Sequence, residues 1–506
     1  MGGCMKILKV LTDRIFIFGF LIFLQALGII LFTSHLFASY HWLKTLLFIF
    51  SLLIVLWLVN KDENPAYKIS WIILILIFPI FGGLLYLFIG NKKPSRHLKK
   101  RIQPILEQLQ PYMLLPQDVS SHLIEAKENG LTYLHDLGYG TYGNTKTKYY
   151  SLGDYGFGDL IKDLKNAKHY ILMEYFIVSD GFMFDTILNI LKDKVKEGVE
   201  VRFIYDDVGS LTTVPYRFEK TLESYGIQCV VFNPFVPVLS MALNHRDHRK
   251  ICVIDGYIGY SGGFNIADEY INAKMRFGHW KDTGIRLEGD AVWNLTTMFL
   301  TSWNAYKHSE EDFSRFYPDV YHQHNIQDGY VVPYGDVPTD DEPTGENIYL
   351  NMIQQAKEEI LIMTPYFIID DTMSKSLMMA SKKGVKVKII TPGIPDKKTV
   401  YKVTRSYYHP LIQQGIEIYE YQPGFLHAKV VLCDHQIATV GTINFDYRSF
   451  YLHFECNVLL YQTSSIEDIE KDFKETLALS QKINQGESRR FQGIYEAILR
   501  LFAPLL

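Results

Sequence analysis

The sequence predicts an α/β protein in which two tandem domains, related by a pseudo-twofold axis, follow an N-terminal transmembrane helical anchor. Three observations lead to this prediction. Long apolar segments occupy much of residues 1–101, strand-like and helix-like stretches alternate in the remainder, and that alternation occurs twice with one polar motif closing each copy. Each domain is therefore expected to contain a mixed, mostly parallel sheet covered by helices. A chain of 506 residues is too long for one ordinary core, which agrees with two domains.

Three apolar segments, at about 15–32, 43–59 and 69–89, define the anchor. A helix needs about 20 residues to cross the hydrocarbon core, so the third segment qualifies outright and the first nearly does. The second is long enough only with Trp42 and Leu43 at its start. A secretory signal peptide is disfavoured because two apolar segments follow the first and no small-residue cleavage site is evident.

Basic residues near the apolar segments predict the orientation of the anchor. The third segment is followed by a basic cluster, Lys92, Lys93, Arg96, Lys99, Lys100 and Arg101, which predicts that the domains downstream lie in the cytoplasm. The loop NKDENPAYK (60–68) would then lie outside, between two spans. Three full spans would also place Lys6, Lys9 and Arg14 outside, which the same charge rule disfavours. The first segment is therefore expected to lie in the interface or to re-enter the membrane, and a full span is the alternative.

The polar motif occurs twice. Residues 248–265 read HRKICVIDGYIGYSGGFN and residues 425–444 read FLHAKVVLCDHQIATVGTIN, with His, Lys, Asp, Gly and Asn at matching positions. The strand-like stretches before them also match, EYFIVSD with PYFIIDD and GVEVRFIYD with GVKVKIITP. A structural hairpin duplicated with its domain would keep its apolar positions first, whereas here the polar residues persist. The repeat therefore indicates a functional site.

Two facing copies of the motif would bring two imidazoles, two ammonium groups and two carboxamides to one point, because the side chains of HxK share one face of a strand. Lysines and asparagines can bind the non-bridging oxygens of a phosphodiester. One imidazole can attack phosphorus and form a phosphohistidine, while the other protonates the leaving alkoxide and deprotonates the incoming hydroxyl. The candidate catalytic residues are His248, Lys250, Asn265, His427, Lys429 and Asn444. No metal or other cofactor is expected.

The patterns HxKx4Dx6GGxN at His248 and its GTxN variant at His427 resemble the paired signature of the phospholipase D superfamily. The stretches NHRDHRKICVIDG, YSGGFNIADEY, HWKDTGIRLEG and GTINFDYRSF are similar to those of bacterial cardiolipin synthases, and the resemblance covers essentially the whole chain. It implies two phospholipase D-type domains, with His248 as the nucleophile and His427 as the acid/base.

The resemblance also implies supporting roles. Asp282 and Glu455 would orient the histidines, and Asp255 and Asp434 would be structural. In YLHFE, His453 stands where the family usually has asparagine, and it is either a tolerated change or a residue that tunes headgroup choice. Four arginines are candidates for binding the phosphate or headgroup of the second lipid, or else form surface charges and intradomain ion pairs: Arg217, Arg246, Arg249 and Arg448.

The reaction implied is transfer of a phosphatidyl group from one phosphatidylglycerol to another, giving cardiolipin and glycerol. The alternatives are a phospholipase D hydrolase, a cardiolipin synthase that uses phosphatidylethanolamine, a nuclease of the same superfamily and a catalytically silent membrane scaffold. The net charge of −4 and the membrane segments argue against nucleic acid as a partner, and two intact motifs argue against a scaffold. The expected partners are membrane phospholipids.

The expected domain limits are 1–101 for the anchor, 130–305 and 346–485 for the two catalytic domains, and 306–345 for the region linking them. Residues 486–506 are expected to form an amphipathic helix that docks on the catalytic domain or lies on the membrane surface. The five cysteines are widely spaced without a CxxC, which suits a reduced compartment, and Cys252 and Cys433 are expected to be buried thiols. Together these features predict a multi-pass protein of the bacterial cell membrane whose catalytic domains face the cytoplasm.

Overall fold

A computed structural model of the chain describes most of the two domains and part of the anchor. The described residues are 41–90, 96–116, 118–119, 130–236, 244–307, 311–320, 322, 328–340, 342–489 and 493–505, with positions 23, 24, 27, 28 and 31. Most of the first apolar segment, with Lys6, Lys9 and Arg14, lies outside them, as do Lys92, Lys93 and Cys4.

The first domain is built on a seven-stranded sheet in the order β1-β8-β6-β5-β2-β3-β4. Its strands are β1 (Thr145–Tyr150), β2 (Tyr170–Tyr175), β3 (Glu200–Asp206), β4 (Gln228–Phe232), β5 (Lys250–Ile254), β6 (Ile258–Gly262) and β8 (Gly284–Gly289). Helix α4 (Arg96–Leu109) precedes this domain. The helices of the domain are α5 (Leu131–Asp136), α6 (Gly153–Asn166), α7 (Phe182–Lys196), α8 (Phe218–Ser224) and α9 (Val292–Lys307).

The second domain repeats this plan in an eight-stranded sheet, β17-β12-β11-β10-β14-β15-β16-β9. Its strands are β9 (Tyr330–Asp336), β10 (Glu359–Met363), β11 (Lys386–Pro392), β12 (Glu417–Tyr421), β14 (Val430–Cys433), β15 (Ile437–Gly441), β16 (Glu455–Tyr461) and β17 (Ser480–Lys482). Its helices are α10 (Thr344–Gln355), α11 (Asp371–Lys382), α12 (Lys398–Ser406), α13 (Tyr408–Ile412), α14 (Tyr447–Tyr451), α15 (Ser465–Ala478) and α16 (Gln485–Ser488).

Both sheets are mixed, but the expectation that they are mostly parallel is wrong. In the first, only β2-β3 and β3-β4 are parallel, and in the second only β10-β11 and β11-β12 are. These are the pairs joined by helical crossovers, whereas the motif hairpins and the strands beside them run antiparallel. The region 306–345, expected as a link between domains, also contributes β9 as an edge strand of the second sheet.

The two domains share one hydrophobic core, which draws residues from both sheets, for example Leu172 and Val253 with Met363 and Val430. A short parallel pair, β7 (His279–Lys281) with β13 (Gly424–Leu426), joins them directly. The described cysteines, Cys229, Cys252, Cys433 and Cys456, are free and buried, which confirms the expectation for Cys252 and Cys433. The motif hairpins therefore face each other across a packed interface.

One helix of the described anchor is long and apolar enough to cross a membrane. Helix α1 (His41–Asn60) contains the stretch Trp42–Asn60, 19 residues with a mean hydropathy of 2.4. Trp42, Leu53, Leu56 and Trp57 expose their side chains, as the lipid-facing residues of a spanning helix would.

The third apolar segment does not form a single span, which corrects the expectation for 69–89. Helix α2 (Pro65–Ile77) ends at Phe78, and α3 (Pro79–Leu85) with a π-helical turn (Tyr86–Gly90) runs back beside it. The Tyr67 hydroxyl donates to the carbonyl of Gly90 at 2.6 Å, so the two ends of the segment are adjacent. Thirteen helical residues extend about 20 Å, short of the roughly 30 Å hydrocarbon core. The segment is a helical hairpin.

The turn between α1 and α2 lies against the second catalytic domain. The Asn64 side chain caps α2 by accepting from the Ala66 N–H at 3.0 Å, and its amide donates to Asp370 at 2.9 Å and to the Tyr451 hydroxyl at 3.1 Å. The expectation that 60–68 lies across the membrane from the catalytic domains is therefore corrected.

The C-terminal helix α17 (Ile494–Phe502) packs between α12 and α2. The Ser70 hydroxyl donates to the carbonyl of Leu501 at 2.6 Å, and the Arg500 guanidinium lies 4.3 Å from the centre of the Tyr407 ring. Ile494 and Ile498 on its other face are exposed. The helix thus docks on the catalytic domain and on the anchor together.

Candidate functional site

His248 sits just before β5, and a residue of the other domain holds its ring. Its Nδ1 lies 2.8 Å and 3.0 Å from the two carboxylate oxygens of Glu455, the first residue of β16. The backbone N–H of His248 donates to the carbonyl of Phe454 at 2.8 Å, so the chain segments before β5 and β16 run side by side. Nδ1–H donates to Glu455, which leaves the lone pair on Nε2.

His427 is held in the same way by the first domain. Its Nδ1 lies 2.6 Å from Oδ2 of Asp282, and its backbone N–H donates to the carbonyl of Lys281 at 2.7 Å. Each histidine is thus oriented by the carboxylate of the opposite repeat. The site exists only when both domains are packed together.

The lysines and asparagines of the two motifs are buried beside the histidines. Lys250 donates to the carbonyl of His248 at 2.5 Å, and Lys429 donates to the carbonyl of His427. Asn265 accepts from the N–H of Ile177 and donates to the Tyr270 hydroxyl. The side-chain oxygen of Asn444 is buried and makes no hydrogen bond with any described residue. The structure brings the histidines and lysines of both motifs together, since the charge of Lys250 acts on His427 and Lys429 as well as on His248, and Tyr270 links Asn265 to His427.

Burial and mutual repulsion shift the pKa values of the cationic groups downward. Burial lowers the pKa of His248 to about 3 and that of His427 to about 4, with Lys250 and Lys429 adding to the effect. Burial also lowers the pKa of Lys250 to about 8 and that of Lys429 to about 7, although Glu455 and Asp282 oppose the shift. Both imidazoles are therefore neutral near pH 7, and both ammonium groups lose their proton at a lower pH than an ordinary lysine does.

Glu455 itself stays ionised. Burial alone would raise the pKa of this carboxyl, but His248 and His453 hold it well below its usual range. The Thr442 hydroxyl donates to the same carboxylate at 2.5 Å. The fixed negative charge of Glu455 beside Nδ1 of His248 keeps the ring in the tautomer that carries its proton on Nδ1.

Asp255 and Asp434 organise the backbone on the far side of each hairpin. The Asp255 carboxylate accepts from the N–H groups of Lys168, His169 and Tyr170, and Asp434 accepts from the three at positions 357–359. Both aspartates adopt a left-handed backbone, with φ of 51° and 49°. These contacts favour a structural role for both aspartates, and that role stays a prediction.

Two of the four arginines form ion pairs inside the first domain, which favours the second of the two alternatives given for them. Arg249 is 2 % exposed and pairs with Glu174 at 2.7 Å and Asp247 at 3.0 Å. Arg246 is 3 % exposed, and its Nε lies 3.3 Å from Oδ2 of Asp206. Arg249 lies between His248 and Lys250 in the sequence, so its side chain turns into the domain while theirs face the site.

The other two arginines differ in position. Arg217 is exposed at the start of α8, with its guanidinium 5.5 Å from the centre of the Tyr216 ring, and its role stays a prediction. Arg448 lies on α14, and its carbonyl accepts from the N–H of His453 at 2.9 Å. Burial lowers the pKa of Arg448. Burial also lowers the pKa of His453, and the charge of Arg448 adds to that shift.

Aromatic rings line the site, and sequence reasoning missed them. The Phe176 ring lies 5.2 Å from that of His248, and the rings of Tyr270, Trp280 and Phe425 lie 5.5 to 5.7 Å from that of His427. Two of them could have been found from their position in the sequence, since Trp280 precedes Asp282 by two residues and Phe425 precedes His427 by two. Rings packed around the histidines reduce the apolar volume that water can enter.

The comparisons with known proteins agree on the family. The family described as "Cardiolipin synthase, PLD-like domain" matches residues 160–275 and 349–477, and "Phospholipase_D-nuclease N-terminal" matches 46–91. A cardiolipin synthase of Alkalihalophilus pseudofirmus is 34% identical over 88% of this chain and 90% of its own length. Cardiolipin synthase 2 of Bacillus cereus is 36% identical over 88% of each chain.

Two further relatives extend the comparison. A protein of Streptococcus mutans described as uncharacterized is 42% identical over 89% of this chain and 99% of its own length. The crystal structure of phosphatidylserine synthase from Haemophilus influenzae superposes with a TM-score of 0.56 at 14% identity, covering 71% of this chain and 93% of that one. At that identity the likeness shows the fold alone.

Proposed function

Because the chain belongs to the cardiolipin synthase family of phospholipase D-like proteins, we propose that it transfers a phosphatidyl group from one phosphatidylglycerol to another, giving cardiolipin and glycerol. The observation that supports this most directly is the reciprocal pairing of His248 with Glu455 and His427 with Asp282. Two oriented imidazoles and two buried ammonium groups around one point suit a phosphodiester exchange.

In the first step, the Nε2 lone pair of His248 attacks phosphorus, and the bond from phosphorus to the glycerol oxygen breaks. His427 donates the proton that the departing alkoxide needs. Burial lowers the pKa of His427 to about 4, so the negative charge of the bound phosphodiester is required to raise it. Lys250 and Lys429 bind the non-bridging oxygens.

In the second step, His427 is neutral and accepts the proton of the incoming glycerol hydroxyl. That oxygen attacks the phosphohistidine, and the bond from phosphorus to Nε2 breaks. One phosphodiester replaces another, so no nucleotide is consumed. Arg448 is our candidate for binding the headgroup of the second lipid, because it lies on α14 beside His453.

We test this function with the purified full-length protein and vesicles of phosphatidylglycerol, without nucleotide or divalent metal. Cardiolipin and glycerol in equal amounts are expected. Phosphatidic acid would instead identify a hydrolase, and product that forms only after phosphatidylethanolamine is added would identify a different donor. Vesicle lipid left unchanged in every mixture would contradict the proposal.

We further propose that the catalytic domains face the cytoplasm of a bacterial cell membrane and that the protein is multi-pass. The helical hairpin and the contact of Asn64 with the second domain favour the cytoplasmic side for both the turn at 61–64 and the basic cluster. Helix α1 would then cross from outside to inside. If the first apolar segment also spans, Lys6, Lys9 and Arg14 return to the cytoplasm, and the charge rule is met at every loop.

Single cysteines test this orientation in a background where Cys4 is replaced by serine. An impermeant maleimide should label Trp42→Cys in intact spheroplasts and label Asp62→Cys only after lysis, with Lys99→Cys as the inside reference. Both Trp42 and Asp62 are exposed, so access is not limited by packing. Labelling of Asp62→Cys from outside would support two spans instead of a re-entrant hairpin.

A further inference from the structure

Three potential metal ligands meet at one edge of the site. His248, His453 and Glu455 each offer a ligand atom, and these atoms lie within 4.8 Å of one another. Nδ1 of His453 is 3.7 Å from Oε1 of Glu455, while Nδ1 of His248 is 2.8 Å from Oε2 of the same carboxylate. The rings of the two histidines have centroids 5.6 Å apart.

Nδ1 of His453 is buried and makes no hydrogen bond with any described residue. This nitrogen is therefore available to coordinate a metal ion beside the carboxylate of Glu455. Glu455 is fully buried, and the Thr442 hydroxyl holds it from behind. An outer hydrogen bond of this kind orients a ligating carboxylate. The side chains of His248 and His453 retain 10% and 12% exposure, which gives an ion a route in.

We propose that His248, His453 and Glu455 form an inhibitory site for a divalent transition metal ion, with Zn²⁺ as the best fit. Two imidazoles and one carboxylate are a common zinc donor set, with water in the fourth position. Bonds of about 2.0–2.2 Å bring tetrahedral donors to about 3.4 Å from one another. The present separations therefore need side-chain adjustments of about an ångström.

The inhibition follows from the chemistry of imidazole, and this part rests on the proposed role of His248. A metal ion bound at Nδ1 of His248 displaces the proton shared with Glu455. In the neutral ring that proton moves to Nε2, so the lone pair that would attack phosphorus is lost. No other reactant is consumed, and a chelator that removes the ion restores the original tautomer.

Nearby cations limit the affinity. Lys250 is two residues from His248, and Arg448 lies beside His453, so both oppose a dication. We therefore expect the site to bind an excess of free Zn²⁺ reversibly rather than to carry a resident ion.

The test uses the full-length protein in detergent and Co²⁺ as a spectroscopic probe. Titration of wild type with excess Co²⁺ should give the visible bands of a tetrahedral complex that saturate at one ion per chain, and Zn²⁺ should displace them. His453→Asn should weaken binding at least tenfold, because even loss of an outer-shell partner costs about 10–100-fold in metal affinity.

A surface cluster provides the matched control. His435 lies 3.2 Å from Glu470 and 4.0 Å from Glu359 and is exposed, so it could also attract zinc. His435→Asn should leave the Co²⁺ spectrum unchanged. Binding that survives His453→Asn, or that disappears with His435→Asn, would overturn the proposal, as would the absence of any complex with wild type.

The product assay is then run with and without Zn²⁺, and each variant is compared with its own metal-free rate. Zinc should inhibit wild type, and the zinc concentration that halves the rate should be at least tenfold higher for His453→Asn. A chelator should restore the rate of wild type. Inhibition that is equal in both would count against the site. A wild type inactive without metal would contradict the proposed function, whereas the Co²⁺ titration would still test the metal site.

Discussion

The carboxylate of Glu455, in the second repeat, accepts a hydrogen bond from Nδ1 of His248, in the first, at 2.8 Å. These residues are separated by most of the second domain in sequence, and Asp282 makes the converse contact with His427. Neither histidine is oriented by its own repeat. Loss of one domain would therefore disable both.

Glu455→Gln should reduce the rate of transfer by about 10³–10⁴-fold, because an amide no longer fixes the tautomer of His248 or stabilises its positive charge. The measurement is single-turnover formation of cardiolipin. Thermal unfolding of the same sample distinguishes this effect from misfolding. A rate within tenfold of wild type would show that the pairing does not direct the chemistry.

His427→Ala should trap the covalent intermediate when the leaving group needs no proton. With a phosphatidyl p-nitrophenyl ester, we expect one equivalent of nitrophenol and a phosphorylated His248, identified by mass spectrometry. His248→Ala should release none. A burst from His248→Ala and not from His427→Ala would reverse the assignment of nucleophile and acid.

Asp255→Asn should lower stability without changing the rate per folded molecule. Asparagine tolerates the left-handed backbone at this position, but its amide cannot accept all three backbone N–H bonds. We expect a loss of about 1–3 kcal/mol, seen as a lower melting temperature. Asp434→Asn is the matched variant in the other repeat, and a rate loss with unchanged melting would contradict a structural role.

Arg249→Met should lower stability, whereas Arg448→Met should weaken substrate binding. The first leaves Glu174 and Asp247 buried without their cation, which typically costs about 3–5 kcal/mol of stability. The second should raise KM for phosphatidylglycerol and leave the melting temperature close to that of wild type. Lipid titrations and thermal unfolding on both variants separate the outcomes. A raised KM in Arg249→Met alone would indicate that Arg249, and not Arg448, binds the substrate.

Substrate affinity should weaken as pH rises from 6.5 to 9. The pKa values of Lys429 and Lys250 are lowered to about 7 and about 8, so their charged forms are lost in this range rather than near the usual 10.5. A phosphodiester anion binds the charged forms, and KM should therefore increase with pH while protons are taken up on binding. A KM that stays flat across the range would argue against lysine contacts with the phosphate.

Much of this protein follows from local sequence. Charge-free apolar runs predict an anchor, and a polar motif repeated at one spacing predicts two equivalent domains and a shared site. The alternation of HxK places His248 and Lys250 on one face, because side chains of a strand alternate. The same rule turns Arg249 to the opposite face, although its charge suggested a substrate ligand.

The resemblance named Asp282 and Glu455 as residues that orient the histidines, but only the tertiary structure decided which histidine each one holds. That pairing and the burial of His453 beside Glu455 depend on how the two domains pack. The same holds for the anchor. The chain turns back after Phe78, so Tyr67 contacts Gly90, and α2 alone is too short to cross a bilayer. Hydropathy measures the length of an apolar run, whereas the contacts between its two halves determine whether that run spans or returns.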